Sequence, residues 1–323
     1  MISEKRNLKV PAEIPVVYTY MGRNLRDLSI NDDSSAFSDC NSDRSGEFPL
    51  ASSESHRLLI ACASENSEQP ENRLKIARAG AVKPLIALIS STDPQLQEYG
   101  VTAILNLSLC DENKELISLS GAIRPLVRAL RIGTPTTKEN ASCALLRLSQ
   151  VEENKAAIGR SGAIPHLVNL LETGSLRGKK DAATSLYSLC SVEDNKVRAV
   201  HAGIMRPLVE LMADFSSNMV DKAAFVMNEL VRLPEARAAV VEDGGIPVLV
   251  EILEVGSQRQ KEITAGILLK VCQESVVFRT MVAHEGAIQP LVNLSQSGTK
   301  RAKEKAEALI ELLRQPRSGK SAA

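Results

Sequence analysis

The chain has 323 residues, 44% of them apolar and 24% charged, with 39 basic side chains against 39 acidic ones. A formal charge of zero excludes a globally basic nucleic-acid binder and a strongly acidic solvating chain. Aromatic residues make up only 3%, with no Trp. The core must therefore be aliphatic, which disfavours β-sandwiches and barrels and favours packed helices.

In chain order, residues 1–53 come first and contain no repeat. From Ser29 to Ser53 the sequence is dense in Ser, Asp and Asn. It carries too little apolar surface to fold alone, so a disordered segment is expected. Ser34, Ser35, Ser38 and Ser42 lie among Asp32, Asp33, Asp39 and Asp43 and are candidate phosphorylation sites. No apolar signal core follows Met1–Val10, and no uninterrupted apolar stretch approaches the ~20 residues of a membrane span. Among the six cysteines the closest pair is Cys40 and Cys62, too far apart for a zinc or redox motif. Reduced thiols in a cytoplasmic and/or nuclear protein are expected.

From about residue 54 a pattern recurs: Gly, a small or apolar residue, Ile or Val, then Pro. It is present as Gly80-Ala81-Val82-Lys83-Pro84, Gly121-Ala122-Ile123-Arg124-Pro125, Gly162-Ala163-Ile164-Pro165, Gly203-Ile204-Met205-Arg206-Pro207, Gly244-Gly245-Ile246-Pro247 and Gly286-Ala287-Ile288-Gln289-Pro290. The glycines advance by 41, 41, 41, 41 and 42 residues. Asn72, Asn113, Asn154 and Asn195 keep the same step. Gly takes the left-handed conformation that ends a helix, and Pro suits the first turn of the next one. Each marker is thus a sharp bend between two helices. Ala141, Ala144, Leu145 and Leu148 have the spacing of a longer amphipathic helix over about 138–149. A short helix is expected from about Glu152 to Arg160. Each unit therefore reads as short helix, bend, helix, loop, long helix. A triplet of this length lies in the armadillo/HEAT range and buries its faces only by stacking on its neighbours.

These bends, with the Glu/Asp-Asn-Lys start of the short helix, resemble armadillo repeats. More narrowly, Gly244-Gly245-Ile246-Pro247 and Val255-Gly256-Ser257-Gln258-Arg259 resemble plant U-box/armadillo proteins, as does Ser295-Gln296-Ser297-Gly298-Thr299-Lys300-Arg301. The resemblance implies an all-α fold, a right-handed armadillo solenoid of about six repeats over residues 54–314, with a disordered tail at 315–323. The segment before the repeats shows neither a Cys-Pro-Ile nor an Asp-Pro-Val segment, so a relative without a U-box is expected. Lys300, Arg301, Lys303 and Lys305 on the last helix read as the polar face of a capping repeat.

No chemistry-bearing motif stands out. The four His lie apart from one another and from Cys, and no nucleophile elbow or phosphate loop is present. His166 and His201 are expected at bends. Gly174-Ser175-Leu176-Arg177-Gly178-Lys179-Lys180 reads as a loop between helices. No catalytic residue, metal or cofactor is expected.

The resemblance implies a concave groove lined by the long third helices. Setting the phase on buried Leu107, Leu148, Leu189, Leu230 and Val271 places Asn106, Arg147, Ser188, Glu229 and Lys270 in one row, with Glu311 in the last unit. Thr102, Cys143, Thr184, Phe225, Gly266 and Glu307 form a second row one turn earlier, and Tyr99 is a further groove candidate. Import adaptors of the armadillo family carry Trp and Asn in these rows. This chain has no Trp and one Asn there, so import-signal binding is disfavoured. The expected function is a monomeric, non-enzymatic scaffold that binds a protein partner, with no specific nucleic acid. The alternative is a ubiquitination-pathway adaptor related to U-box ligases.

Overall fold

The computed structural model describes residues 70–315. The Ser/Asp-rich segment with its candidate phosphorylation sites, residues 54–69, Cys40, Cys62 and the residues beyond Gln315 lie outside the described residues. Eighteen α-helices fall into six triplets among the described residues. In the first, α1 (Pro70–Ile76) runs through a short π-helical stretch, Ala77–Ala81, into α2 (Val82–Ile89), and α3 (Pro94–Leu107) follows. The second holds α4 (Asp111–Leu119), α5 (Ile123–Ile132) and α6 (Pro135–Leu148). The third holds α7 (Glu152–Arg160), α8 (Ala163–Thr173) and α9 (Leu176–Leu189). The fourth holds α10 (Glu193–His201), α11 (Met205–Ala213) and α12 (Val220–Leu230). The fifth holds α13 (Pro234–Glu242), α14 (Gly245–Val255) and α15 (Gln258–Gln273). The sixth holds α16 (Val276–His284), α17 (Ile288–Ser297) and α18 (Lys300–Arg314).

Two glycine series shape the units for different reasons, the first in all six and the second in units two, three, five and six. Gly80, Gly121, Gly162, Gly203, Gly244 and Gly286 have φ between 75 and 93°. A Cβ on any of them would meet nothing within 4 Å, so the requirement is the left-handed backbone itself. Gly133, Gly174, Gly256 and Gly298, between the second and third helices, are extended instead. There a Cβ would come within 2.5–2.6 Å of the carbonyl oxygen four residues earlier. The residue after each is the N-cap of the third helix: Thr134, Ser175, Ser257 and Thr299 accept an amide N–H from the first turn. The loop read between α8 and α9 therefore shrinks to two residues. Arg177, Lys179 and Lys180 belong to the first turns of α9.

Neighbouring third helices pack in series, α3 on α6, α6 on α9, α9 on α12, α12 on α15 and α15 on α18. Their apolar faces join one core cluster running from Ala77 to Ile310. Leu107, Leu148, Leu189, Leu230 and Val271 lie inside it, as their phase requires. The repeated asparagines join unit to unit. The side-chain amides of Asn113, Asn154 and Asn195 donate to the carbonyls of Leu107, Leu148 and Leu189 at 3.0, 2.9 and 3.0 Å. They also donate to the first helix of the preceding unit, at Arg73 O, Ser118 Oγ and Lys155 O.

Beside each asparagine position stands a cation. Arg73, Lys114, Lys155, Lys196, Arg237 and Arg279 recur at steps of 41, 41, 41, 41 and 42. Lys114 reaches Asp111 and Gln150, and Lys196 reaches Glu193. Arg237 reaches Glu274 at 2.8 Å, and Arg279 donates to the carbonyls of Cys272 and Gln273 at the end of α15. Positive charge at helix C-termini complements the helix dipole. Cys110, Cys143, Cys190 and Cys272 are free and buried. Burial pushes the Cys190 and Cys272 thiols up to about 12, so they are poor nucleophiles. His166 lies in the first turn of α8 rather than at a bend and is half-buried; burial, then Arg131 and Lys138, lower its pKa. His201, by contrast, is the last residue of α10 and is exposed.

Candidate partner-binding face

The third helices are buried on most sides, and what they leave accessible is a narrow stripe. In α3 the stripe contains Tyr99, Thr102 and Asn106, all half-buried. Burial, then Glu98 and Asp93, raise the Tyr99 pKa. Thr102 Oγ1 accepts from Asn140 of α6 at 3.0 Å. In α6, Arg147 is half-buried but Cys143 is buried. In α9, Ser188 is half-buried and shares a 2.7 Å hydrogen bond with Ser149, whereas Thr184 is buried and donates to Lys180 O. Cys143 and Thr184 thus offer little surface: adjacent third helices close over that row, and small side chains do not reach past the contact. In α12, Phe225 and Glu229 are half-buried, and Glu229 accepts from Arg232 at 3.2 Å. In α15, Lys270 donates to Asn228 O and Oδ1, both at 2.9 Å. Burial first, then Arg232, lower its pKa.

The sixth unit requires a correction. Glu307 and Glu311 do not continue the rows. Thr299 follows Ser257 by 42 residues, so the equivalent positions are Ala308 and Leu312. One residue is a rotation of about 100° on a helix. Glu307 and Glu311 instead line an open depression with Val292, Ser295, Ile310 and Arg314. The depression lies at the C-terminal end of the described residues.

Other stripe residues escaped the sequence reading. Tyr187 meets Phe225 edge-on, with ring centroids 6.2 Å apart, and the Arg259 guanidinium lies 4.8 Å above the Phe225 ring. Arg177 donates to Asn140 Oδ1 at 2.9 Å. Lys305 crosses the position of Gly266 to reach Glu262 at 3.2 Å. Of these, Asn140 and Lys305 share the repeat register of Tyr99, which was the available signal; Arg177 and Arg259 lie one turn earlier, and Tyr187 sits directly before Ser188. Among the described residues there is no His/Cys/Asp/Glu group able to hold a metal ion, and no helix long and apolar enough to cross a membrane.

Helical triplets stacked through their third helices define an armadillo repeat solenoid. Known structures agree. A crystal structure of an engineered protein matches 82% of this chain and 66% of its own, with a TM-score of 0.71 at 25% identity. A designed armadillo repeat protein in complex with peptide (KR)4 matches 72% of this chain and 99% of its own, with a TM-score of 0.62 at 19% identity.

The chain belongs to the family described as plant U-box protein ARM repeat region, whose profile matches residues 67–322. Among similar proteins, U-box domain-containing protein 11 of Arabidopsis thaliana is 43% identical over 63 residues, 20% of this chain and 10% of the relative. U-box domain-containing protein 12 of Oryza sativa subsp. japonica is 58% identical over 38 residues, 12% of this chain and 6% of the relative. The matched segments span a tenth or less of these relatives' lengths.

Proposed function

We propose that the chain is a non-enzymatic interaction scaffold that holds an extended segment of a protein partner along the third-helix stripe. The observation that carries this reading is the stripe itself. Half-buried polar and charged side chains recur at the same helical position in successive units, on an otherwise apolar stack. Extended concave surfaces of solenoids serve this use. The designed relative that holds a (KR)4 peptide lends support. Asn106, Arg147, Ser188, Glu229 and Lys270, with Tyr99, Thr102 and Phe225, are the contact residues. Their mixed charge suits a partner that is neither uniformly basic nor uniformly acidic.

A random peptide library selected on the full chain tests the proposal. Enriched peptides should lose binding to an Arg147→Glu/Lys270→Glu variant of unchanged helicity. They should keep it on Leu119→Glu, at a first-helix position that is 80% exposed. Peptides indifferent to the double variant but blocked by Leu119→Glu would move the site off the stripe.

A second reading, membership of a ubiquitination pathway as a substrate-recognition adaptor, is favoured by the family match. With E1, conjugating enzyme and ubiquitin, the chain alone is expected to build no ubiquitin chains. Autonomous chain formation would overturn the non-enzymatic reading.

A further inference from the structure

Among the described residues, two cations on the stripe have no carboxylate bonded to them. Arg147 stands in the last turn of α6. Among the described residues its side chain makes no hydrogen bond and no ion pair, and its Nε is buried without an acceptor. Its charged neighbour is another arginine. Arg73 is buried; desolvation first, and then the Arg147 charge, depress its pKa, against an opposing influence of Cys110. The dipole of α6 accounts for a cation at this end. It does not account for a buried N–H with no partner, which native structures rarely leave.

Three units along the same row, Lys270 is hydrogen-bonded but likewise has no carboxylate bonded to it. Its ammonium bonds only the neutral oxygens of Asn228. Arg232, Lys305 and Lys196 surround it with like charge, and Glu229 is the opposing group. Glu229 is already held by Arg232. Nearby cations, by contrast, have carboxylates of their own: Lys114 has Asp111, Lys196 has Glu193 and Lys305 has Glu262.

The geometry points to a two-point oxyanion receptor, in which Arg147 and Lys270 each take a carboxylate or phosphoryl group carried on one extended polypeptide. The inference rests on the scaffold reading above and names the chemistry of its partner. Guanidinium supplies a planar fork matched to an oxyanion, and ammonium supplies a compact point charge. Neighbouring packed helices lie about 8–10 Å apart, so three steps span roughly 24–30 Å. An extended chain rising about 3.3 Å per residue covers that distance in seven to nine residues. Glu229 sits between the two anchors and repels an acid at the middle of the segment.

Fluorescence anisotropy with the full chain tests this. The probes are synthetic peptides: two Glu eight residues apart in a neutral polar body, the same peptide with phosphoserine for Glu, an all-neutral version, and one with the Glu pair three residues apart. The matched acidic peptides should bind at least about tenfold more tightly than the neutral and short-spaced ones, as expected for charge-assisted hydrogen bonds. Preference between Glu and phosphoserine identifies the source of the oxyanion. Arg147→Gln and Lys270→Gln should each abolish most of that advantage, so that the matched acidic peptides and the neutral one bind each variant about equally. Arg147→Glu should bind a peptide carrying Lys at the matching end, a rescue that misfolding would not produce. Equal binding of matched and neutral peptides to the wild type would overturn the inference. If stripe-dependent library peptides then show no acid preference, the scaffold reading stands and only the receptor falls.

Discussion

Units three and four are built to the same plan and connect their second and third helices differently. In unit three, Gly174 ends α8 with an extended backbone, and Ser175 caps α9 by accepting from Gly178 N. The helix then runs 14 residues. In unit four the position of Gly174 is taken by Phe215. At Gly174 a Cβ would lie 2.5 Å from the Leu170 carbonyl oxygen, so no side-chain-bearing residue can make that turn. The chain takes a wider path, with Asn218 at φ 55° and Phe215 exposed at the surface. Ser216, the counterpart of Ser175, bonds to Asp214 Oδ1 with its amide at 3.0 Å and its hydroxyl at 2.6 Å. It caps no helix. α12 starts at Val220, has no side-chain cap and runs 11 residues. In unit four the lost glycine and the lost cap together go with a third helix about a turn shorter; unit one, with Thr92 at this position, keeps a 14-residue α3 because Asp93 still caps it. The core beneath is unaltered: Leu189 and Leu230 are both buried.

If the two units differ only in their connections, their cores should respond alike. Leu189→Ala and Leu230→Ala should each cost about 3 kcal/mol by urea denaturation, the usual loss for a fully buried leucine. A difference of more than about 1 kcal/mol between them would show that the wider loop also loosens the core. Next in size is the exchange at the turn. Gly174→Phe should destabilise by about 2 kcal/mol or more through backbone strain and loss of the capped turn. Phe215→Gly should be neutral or stabilising, and should slow amide exchange at residues 217–220 as α12 lengthens. Smaller still is the cap. Ser175→Ala should cost about 1 kcal/mol and Ser216→Ala only a few tenths, because the second serine holds no helix end.

The smallest effect is pH-dependent. The Ser216 hydroxyl, then its amide, hold the Asp214 carboxyl below its ordinary value. Folding therefore favours the charged form. Its contribution is complete above the unfolded carboxylate pKa of about 3.9 and is lost as pH falls through the lower folded value. The stability difference between wild type and Asp214→Asn should shrink on acidification through that range. A difference that grows instead would refute the Ser216 hydrogen bonds as the cause.

Much of the fold was legible because its punctuation is local. Whether Gly121 can adopt positive φ, or Pro135 can start a helix, depends on that residue and its immediate neighbours. The first helix α7 keeps the bounds its sequence suggests, and the third helix α6 starts three residues earlier than expected, at Pro135, because Thr134 caps it. The cation series at Lys114 and its equivalents was visible as Asn-Lys in three units. Its extension to Arg237 and Arg279 was not, because no Asn precedes them; packing gives them their shared place, Arg237 on Glu274 and Arg279 on the last carbonyls of α15. The stripe was less legible. Its register follows from buried leucines, yet the closure of Cys143 and Thr184 depends on how tightly neighbouring helices approach.

By itself, then, the sequence determined the period, the bends and the helical triplets, because glycine, proline and N-cap serine or threonine act through the backbone of their own segment. The tertiary structure alone decided which polar groups find partners. Among the described residues Arg147 is left without one, and Asn140 gains Thr102 and Arg177, through residues 37–38 positions away. Glu307 and Glu311 leave the two rows and line a depression with Val292 and Arg314 because one added residue, between Val271 and Val276, rotates everything after it.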